Sequence, residues 1–418
     1  MKITNIPIFI ILLIISTMIP SCYVVKTIYY NLADIKDYKK FRYHTIEAQK
    51  PYFNFAAGNR EREFNLSLEE LKAFGNGKFP FTIKAEDLSQ GGLPLEKFLN
   101  STKTVAFLII KNDTILYEKY FHKYDETSVT TSFSMAKSFT SALIGIAISE
   151  GFIQNINQPI TDYIPELKDK GFEKIKIKNL LQMTSGIKFT ENYYNPFSNV
   201  DKLYYGNNIL KIITRLKIDK QPGKEYRYIS INSQLLGLIL QRATGKNISE
   251  YLQEKIWIPL GMEYDATWSI DSKKNGMEKT YCCLNARARD FAKFGRLYLN
   301  KGNWNGKQII SREWIKESTK IDTTNGSRRN YQYGWWIMPF PPKADQNLRK
   351  NPARSTPGSF GESFGQAESP VQKAFWAKGH LGQFIFVYPQ ENVIIVRLGK
   401  KRGKVNWGKV FLEIVERI

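Results

Sequence analysis

Histidine and cysteine are scarce in this chain. Only His44, His122 and His380 occur in 418 residues, and they lack the spacing that ligates a metal, which argues against a metal enzyme. Cys22, Cys282 and Cys283 are too few for a disulfide framework. Adjacent cysteines such as Cys282 and Cys283 rarely bridge in ordinary geometry, so no disulfide is expected. No Gly-x-Ser-x-Gly elbow is present, which excludes the common serine α/β-hydrolase pattern. Internal repeats are also absent. Acid is the scarcer charge, with 39 Asp and Glu against 61 Lys and Arg, a net charge of +22. The basic residues are dispersed and no nucleic-acid module is visible. A solvated lysine-rich surface is the expectation, attraction to anionic envelope polymers the alternative, and no nucleic-acid partner is expected. The apolar run Ile6 to Pro20 is short for a membrane span.

What is present is a globular composition, 42% hydrophobic and 24% charged, on a chain long enough for about two domains. Residues 1–22 read as a leader. Lys2 precedes the apolar run, which ends in Ile19-Pro20-Ser21-Cys22. This resembles a bacterial lipoprotein signal, in which Cys22 would be lipidated. An uncleaved anchor and a plain secretion signal are the alternatives. All three export the body of the protein to the cell envelope, and two tie it to the membrane.

Residues 23–95 form an extension of mixed character that either links a leader to the body or packs on it. Thr104–Ile110 and Thr114–Tyr120 flank Asn112-Asp113 as a β-hairpin. From about 152 to 265 the pattern is mainly helical, including Ile177–Met183, Ile209–Ile218 and Asn232–Thr244 closed by Gly245. Helices continue at Ala286–Leu299 and Arg312–Ser318. Strands return at Tyr333–Met338, Lys373–Ala377, Phe384–Tyr388 and Val393–Leu398. Residues 340–371, rich in Pro, Gly, Ser and charge, read as a flexible insert. Gly408–Ile418 suits a terminal helix. The order predicts an α+β fold: an antiparallel sheet made from both ends of the chain, flanked by helices, with an all-α region inserted.

The richest motif is Ser134-Met135-Ala136-Lys137. Positions i and i+3 share a helix face, so Lys137 can hold its amine beside the Ser134 hydroxyl. A desolvated lysine loses its proton readily and can activate a nucleophile. Ser134 would sit in the first turn of an apolar helix that Gly151 closes, where free N–H groups favour negative charge. An ordinary helix-start serine is the plain alternative. Ser185-Gly186-Ile187-Lys188 repeats the spacing but reads as a turn.

With no histidine base nearby, such a serine needs a second proton-handling group. Tyr228 is the candidate, in a Pro-Gly-led loop, with Ser230 two residues on; a tyrosine beside a cationic lysine can approach the phenolate state. Tyr193-Tyr194-Asn195 is a rival tyrosine site. Lys378-Gly379-His380-Leu381-Gly382-Gln383 supplies the third piece. Its glycines allow close approach of a substrate backbone, the Gln383 N–H could join that of Ser134 in an oxyanion hole, and His380 could bind a substrate carboxylate.

The order Ser-x-x-Lys, Tyr-x-Ser, His-x-Gly resembles the serine β-lactamase and penicillin-binding protein superfamily, class C-like branch, over about residues 96–418. Leu180–Gly186, Leu235-Leu236-Gly237 and Ala243-Thr244-Gly245 add to the likeness. The resemblance implies an α/β domain with an all-α domain, a cleft site between them and an acyl-serine intermediate. It makes Ser134 the nucleophile, Lys137 the base and Tyr228 the second acid/base group, with no cofactor. Ser230 stands where the family has Asn, and His380 where it has Lys, with Gly382 in the glycine position. These departures turn the reading away from β-lactams. They favour an amide or ester substrate of small size, as in the branch's esterases and 6-aminohexanoate-oligomer hydrolases. Alternatives are a penicillin-recognising sensor without turnover, a β-lactamase or a D-alanyl carboxypeptidase.

Overall fold

Residues 26, 33–58, 64–88, 92–322, 330–340 and 372–418 are described by the computed structural model. The leader with Cys22 and almost all of the 340–371 insert lie outside them.

The extension packs on the body. Strand β1 (Tyr43–Ile46) pairs antiparallel with Ala266–Ser269, and β2 (Ala56–Ala57) adds a parallel edge to the main sheet. Helix α1 (Leu68–Phe74) starts in a full capping box, Ser67 accepting from the Glu70 N–H while Glu70 accepts from the Ser67 N–H.

The hairpin forms as its turn residues require. Asn112 and Asp113 both take positive φ, 50° and 59°, which these two side chains tolerate. They join β3 (Thr104–Lys111) to β4 (Thr114–Tyr120). The sheet is completed from the far end of the chain by β5 (Tyr331–Gln332), β6 (Trp335–Phe340), β7 (Gln372–Gly379), β8 (Gln383–Tyr388) and β9 (Val393–Gly399). Its spatial order is β5-β6-β7-β8-β9-β3-β4-β2, antiparallel except at β2.

Alternation along β3 sorts side chains to two cores. Ala106, Leu108 and Ile110 join the core under helices α2 (Ala136–Ser149) and α5 (Ala288–Leu299), while Phe107 and Ile109 join the core under the terminal helix α6 (Trp407–Glu416). Gly295 lets α5 lie close, since a Cβ there would meet Ile385 at 2.9 Å. Between α2 and residue 265 lie short helices and turns, among them α3 (Asn199–Tyr205) and the longer α4 (Ser230–Thr244), which packs against α2. Among the described residues no helix is long and apolar enough to cross a membrane.

Two expectations shift. The helix at 209 stops at Ile213, because Ile218 is drawn into a bridge with Ile187. The strand expected from Tyr333 starts at Trp335, because Tyr333 and Gly334 make the β5–β6 turn at φ 42° and 88°. That turn presses on the start of α2. Ser138 donates to the Gly334 carbonyl at 2.9 Å, and a Cβ at Gly334 would stand 2.8 Å from the Lys137 carbonyl.

Candidate active site

A short strand, Thr130–Thr131, delivers the chain to α2 through a sharp turn at Phe133, whose φ is +46°, a conformation that costs energy for a non-glycine residue and often marks a functional site. From Thr130 to Ala147 every residue is buried except Ser134, which is half open. The hydroxyl thus stands where the turn meets a cavity.

Lys137 lies one turn on, 2% exposed. Its Nζ is 2.9 Å from Ser134 Oγ, 3.3 Å from Ser230 Oγ and 2.8 Å from the Tyr281 carbonyl oxygen. Burial pushes its pKa down to about 8, against a smaller opposing pull from the Glu191 carboxylate. At neutral pH about a tenth of the molecules then hold a neutral amine.

The hydrogen bonds around that amine have a forced direction. The Ser230 hydroxyl lies 2.5 Å from Glu191 Oε1, and a carboxylate only accepts, so Ser230 donates to Glu191. Its oxygen is then free to accept from Lys137. The Tyr281 carbonyl can only accept as well. A neutral amine has two hydrogens and one lone pair; both hydrogens are taken, and the lone pair faces the Ser134 hydroxyl. Glu191 is held in turn by the Ser230 N–H at 2.9 Å and the Tyr193 hydroxyl at 2.6 Å.

Tyr228 arrives from the loop before α4. Its hydroxyl is within hydrogen-bonding reach of Ser134, and its ring centroid is 5.1 Å from Lys137 Nζ. The expected approach to phenolate is corrected here. Burial raises its pKa far above that of a free phenol, with only a partial offset from Ser134. Tyr228 is therefore a protonated phenol, able to give a proton, while the amine is the group able to take one.

Ser134, Ser230 and His380 line one cavity of about 300 Å³, with Tyr193, Tyr281 and Asp201 in its walls. His380 sits edge-on to Phe133 and 5.2 Å from the Tyr193 ring. Burial lowers its pKa, so near pH 7 it offers hydrogen bonds rather than the cation expected for a substrate carboxylate. Gly382 and Gln383 do not line the cavity. Leu381 at φ 61° and Gly382 at φ 85° turn the chain back, and Gln383 starts β8 opposite Gly379. The Gln383 side chain is buried on the His380 and Gly399 carbonyls, and Arg397 donates to the Gly382 carbonyl at 2.5 Å. Strand backbone packs against the nucleophile's turn instead at Gly379, where a Cβ would stand 2.2 Å from the Ser132 carbonyl oxygen. Lys378 lies over the Trp376 ring, 3.6 Å from its centroid.

Ser185 donates to Asn232 at 2.7 Å and is buried, a turn residue as its sequence context indicated. Cys282 and Cys283 are joined as a disulfide, against expectation; Cys283 takes a φ of +70°, which sets the two side chains within reach. Sequence reasoning missed Glu191, Asp201 and Tyr281. Tyr193, weighed as a rival to Tyr228, supports Glu191 instead. No spacing marks these four: Glu191 and Tyr193 share one loop, while Asp201 comes from α3 and Tyr281 from another loop. Among the described residues no group of three or more His, Cys, Asp or Glu is placed to hold a metal.

The sheet, the helical cap and a serine with a desolvated lysine between them define the architecture of serine hydrolases related to β-lactamases. The family model described as Beta-lactamase matches residues 95–408, and the chain belongs to that family. The 6-aminohexanoate-dimer hydrolase of Paenarthrobacter ureafaciens is 29% identical over 263 residues, 58% of this chain and 66% of that relative. Protein flp of Staphylococcus aureus (strain MW2) is 30% identical over 199 residues, 44% of this chain and 36% of that one. A solved structure from Bacillus anthracis that carries the name 6-aminohexanoate-dimer hydrolase superposes with a TM-score of 0.68 at 25% identity, covering 90% of this chain and 91% of that one. A family VIII carboxylesterase shares the fold, with a TM-score of 0.55 at 16% identity, covering 85% of this chain and 99% of that one. The chain is a serine hydrolase of this family.

Proposed function

We propose that the protein cleaves a small amide or ester through an acyl-serine, with Ser134 as nucleophile, Lys137 as base and Tyr228 as acid. The observation that carries this is the 2.9 Å contact between Lys137 Nζ and Ser134 Oγ, with the amine's lone pair directed by its other partners. Ser134 Oγ attacks the carbonyl carbon and its proton passes to Lys137. The oxyanion is held by the Ser134 N–H and by the strand-end amide at His380, beside the cavity, rather than by that of Gln383. As the bond to the leaving group breaks, Tyr228 gives that group a proton and regains one from the Lys137 ammonium. Water then attacks the acyl-serine, releasing the acid and restoring the Ser134 hydroxyl.

Glu191 positions the base through Ser230 and does not touch the reacting atoms. The amide side of the reading is supported by the names of the relatives from Paenarthrobacter and Bacillus. Ser134→Ala tests the whole. Loss of turnover on p-nitrophenyl esters and linear amides, with loss of the acyl adduct in quenched mass spectra, is expected; unchanged turnover refutes it.

We also propose that the body is exported and held at the cell envelope through the segment ending in Cys22. A Cys282–Cys283 disulfide suits an oxidising compartment. Fractionation of cells expressing the full chain, with and without Cys22→Ala, should move the protein from membrane to soluble exported fractions; a cytoplasmic location for both would refute export.

A further inference from the structure

Tyr194 and Phe197 are the most exposed large hydrophobic side chains among the described residues, at 73% and 74%. Single exposed aromatics are ordinary on a protein surface. These two stand three positions apart on one short loop, with Pro196 between them. Tyr194 and Pro196 also line the cavity of Ser134, so the loop forms part of the rim of that cavity.

The loop is held in shape by its own side chains. Asn199 Oδ1 accepts from both the N–H and the hydroxyl of Thr190 at 2.9 Å, and the Val200 N–H donates to the Thr190 carbonyl at 3.1 Å, which closes the base. Inside it, Asn192 Oδ1 accepts from the Tyr194 N–H at 3.0 Å, and Asn195 Oδ1 from the Phe197 N–H at 2.9 Å. Such turns fix the backbone beneath each ring. Two rings fixed in water cost free energy that an apolar partner would recover.

The surroundings are basic. Residues 174–220 carry nine Lys and Arg against three acids. The acids are engaged elsewhere: Glu191 bonds Ser230, Asp201 lines the cavity, and Asp219 pairs with Arg227 at 3.0 Å. Just before the loop, Ile187 and Ile218 bridge antiparallel, and the Lys188 N–H donates to the Lys217 carbonyl at 2.8 Å. Lys188 and Lys217, both exposed, are therefore set opposite each other. Like charges so placed are destabilising unless an anion lies between them. Ala33 lines the same cavity and lies eleven positions after Cys22. An anchor at Cys22, proposed above, keeps this rim within about 40 Å of a bilayer.

A soluble polyanion accounts for the lysines but not for the rings. A protein partner accounts for the rings but needs no net charge of +22. Aromatic rings at the headgroup level beside a basic surface are the pattern of a protein seated on an anionic bilayer. We propose that the 190–199 loop is a membrane-docking edge. Tyr194 and Phe197 enter the headgroup region, Lys188 and Lys217 meet lipid phosphates, and the rim of the Ser134 cavity lies against the bilayer. This goes beyond the hydrolase reading and does not depend on it.

The test uses the full chain carrying Cys22→Ala, so that no lipid is attached. Phe197→Cys is labelled with a polarity-sensitive nitrobenzoxadiazole dye and mixed with phosphatidylglycerol vesicles. Leu68→Cys, on α1 and 46% exposed, is labelled as the reference, because α1 packs in the core on the other face of the sheet. The dye at 197 should shift to the blue and be quenched by doxyl-labelled lipid, and the dye at 68 should do neither, whatever residues 1–22 contribute to vesicle binding. Equal responses at both positions, or none at 197, overturn the proposal. Adding Lys188→Glu/Lys217→Glu to the protein labelled at 197 should raise the lipid concentration at half-maximal shift by about tenfold or more. An unchanged midpoint, or an equal shift with phosphatidylcholine vesicles, overturns the anionic docking edge. A shift reproduced by soluble poly(glycerol phosphate) alone assigns the surface to a polymer and overturns the bilayer.

Discussion

The ionisation of Lys137 is the sharpest point at which the mechanism can fail. Its amine must be neutral to take the Ser134 proton, and burial sets its pKa at about 8 in place of 10.5. At pH 7 the neutral fraction is then about one in eleven, against about three in ten thousand for an exposed lysine, a gain of about 300-fold in reactive enzyme. The profile of kcat/KM should therefore rise from pH 6 and level off above a single ionisation near pH 8. The same burial carries a stability cost. The folded pKa lies below the unfolded one, so between about 8 and 10.5 the unfolded chain binds the extra proton, and stability rises with pH across that window. Below it the folded protein holds a desolvated ammonium, at a cost of about 3 kcal/mol from 2.5 pKa units. Lys137→Met should lose activity, gain stability at pH 7 by up to that amount, and lose this pH dependence in denaturant melts. Glu191→Gln provides the control on cause. The Glu191 carboxylate holds the Lys137 pKa up, so its neutralisation should move the acid limb of the rate profile below pH 8. A profile flat from pH 6 to 9.5, or a Lys137→Met protein less stable than the wild type at pH 7, would refute the reasoning.

Two other predictions are independent of that titration. Tyr228→Phe should slow amide hydrolysis by about 10²–10⁴-fold while slowing p-nitrophenyl esters much less, because nitrophenolate leaves without a proton; equal losses on both, compared by kcat, would remove Tyr228 from the acid role. Gly379→Ala places a methyl 2.2 Å from the Ser132 carbonyl oxygen and should push the strand end away from the nucleophile, lowering kcat at least tenfold while the far-UV spectrum is kept; unchanged kcat would show that this strand end takes no part in catalysis.

Much of the fold was legible because local chemistry and the global plan agree. Asn112-Asp113 is a turn wherever it stands between apolar runs, and the run from Ala142 to Ile148 has no polar side chain to keep in water. The reading failed where a residue answered to something distant in sequence. Ile218 leaves a helical pattern to pair with Ile187. Tyr228 was expected to approach the phenolate state beside the lysine, but burial keeps its proton in place. Gln383 lies four residues beyond the end of β7 at Gly379 and begins β8, since the positive φ of Leu381 and Gly382 cannot be inferred from a Gly-x-x-Gly spacing alone.

The motif spacing by itself determined that a serine and a lysine share one helix turn, since i and i+3 lie on one face of any helix. It also determined that a tyrosine and a glycine-rich strand end follow in a set order. Only the tertiary structure decided what these groups can do. Water is excluded from Lys137 by α4, Tyr281 and Tyr228 together, and desolvation, a property of the packed surroundings and not of the residue, makes the lysine a base. The direction of its lone pair depends on Glu191, 54 positions away in sequence from Lys137, and Asp201 lines the nucleophile's cavity only because α3 is folded over it.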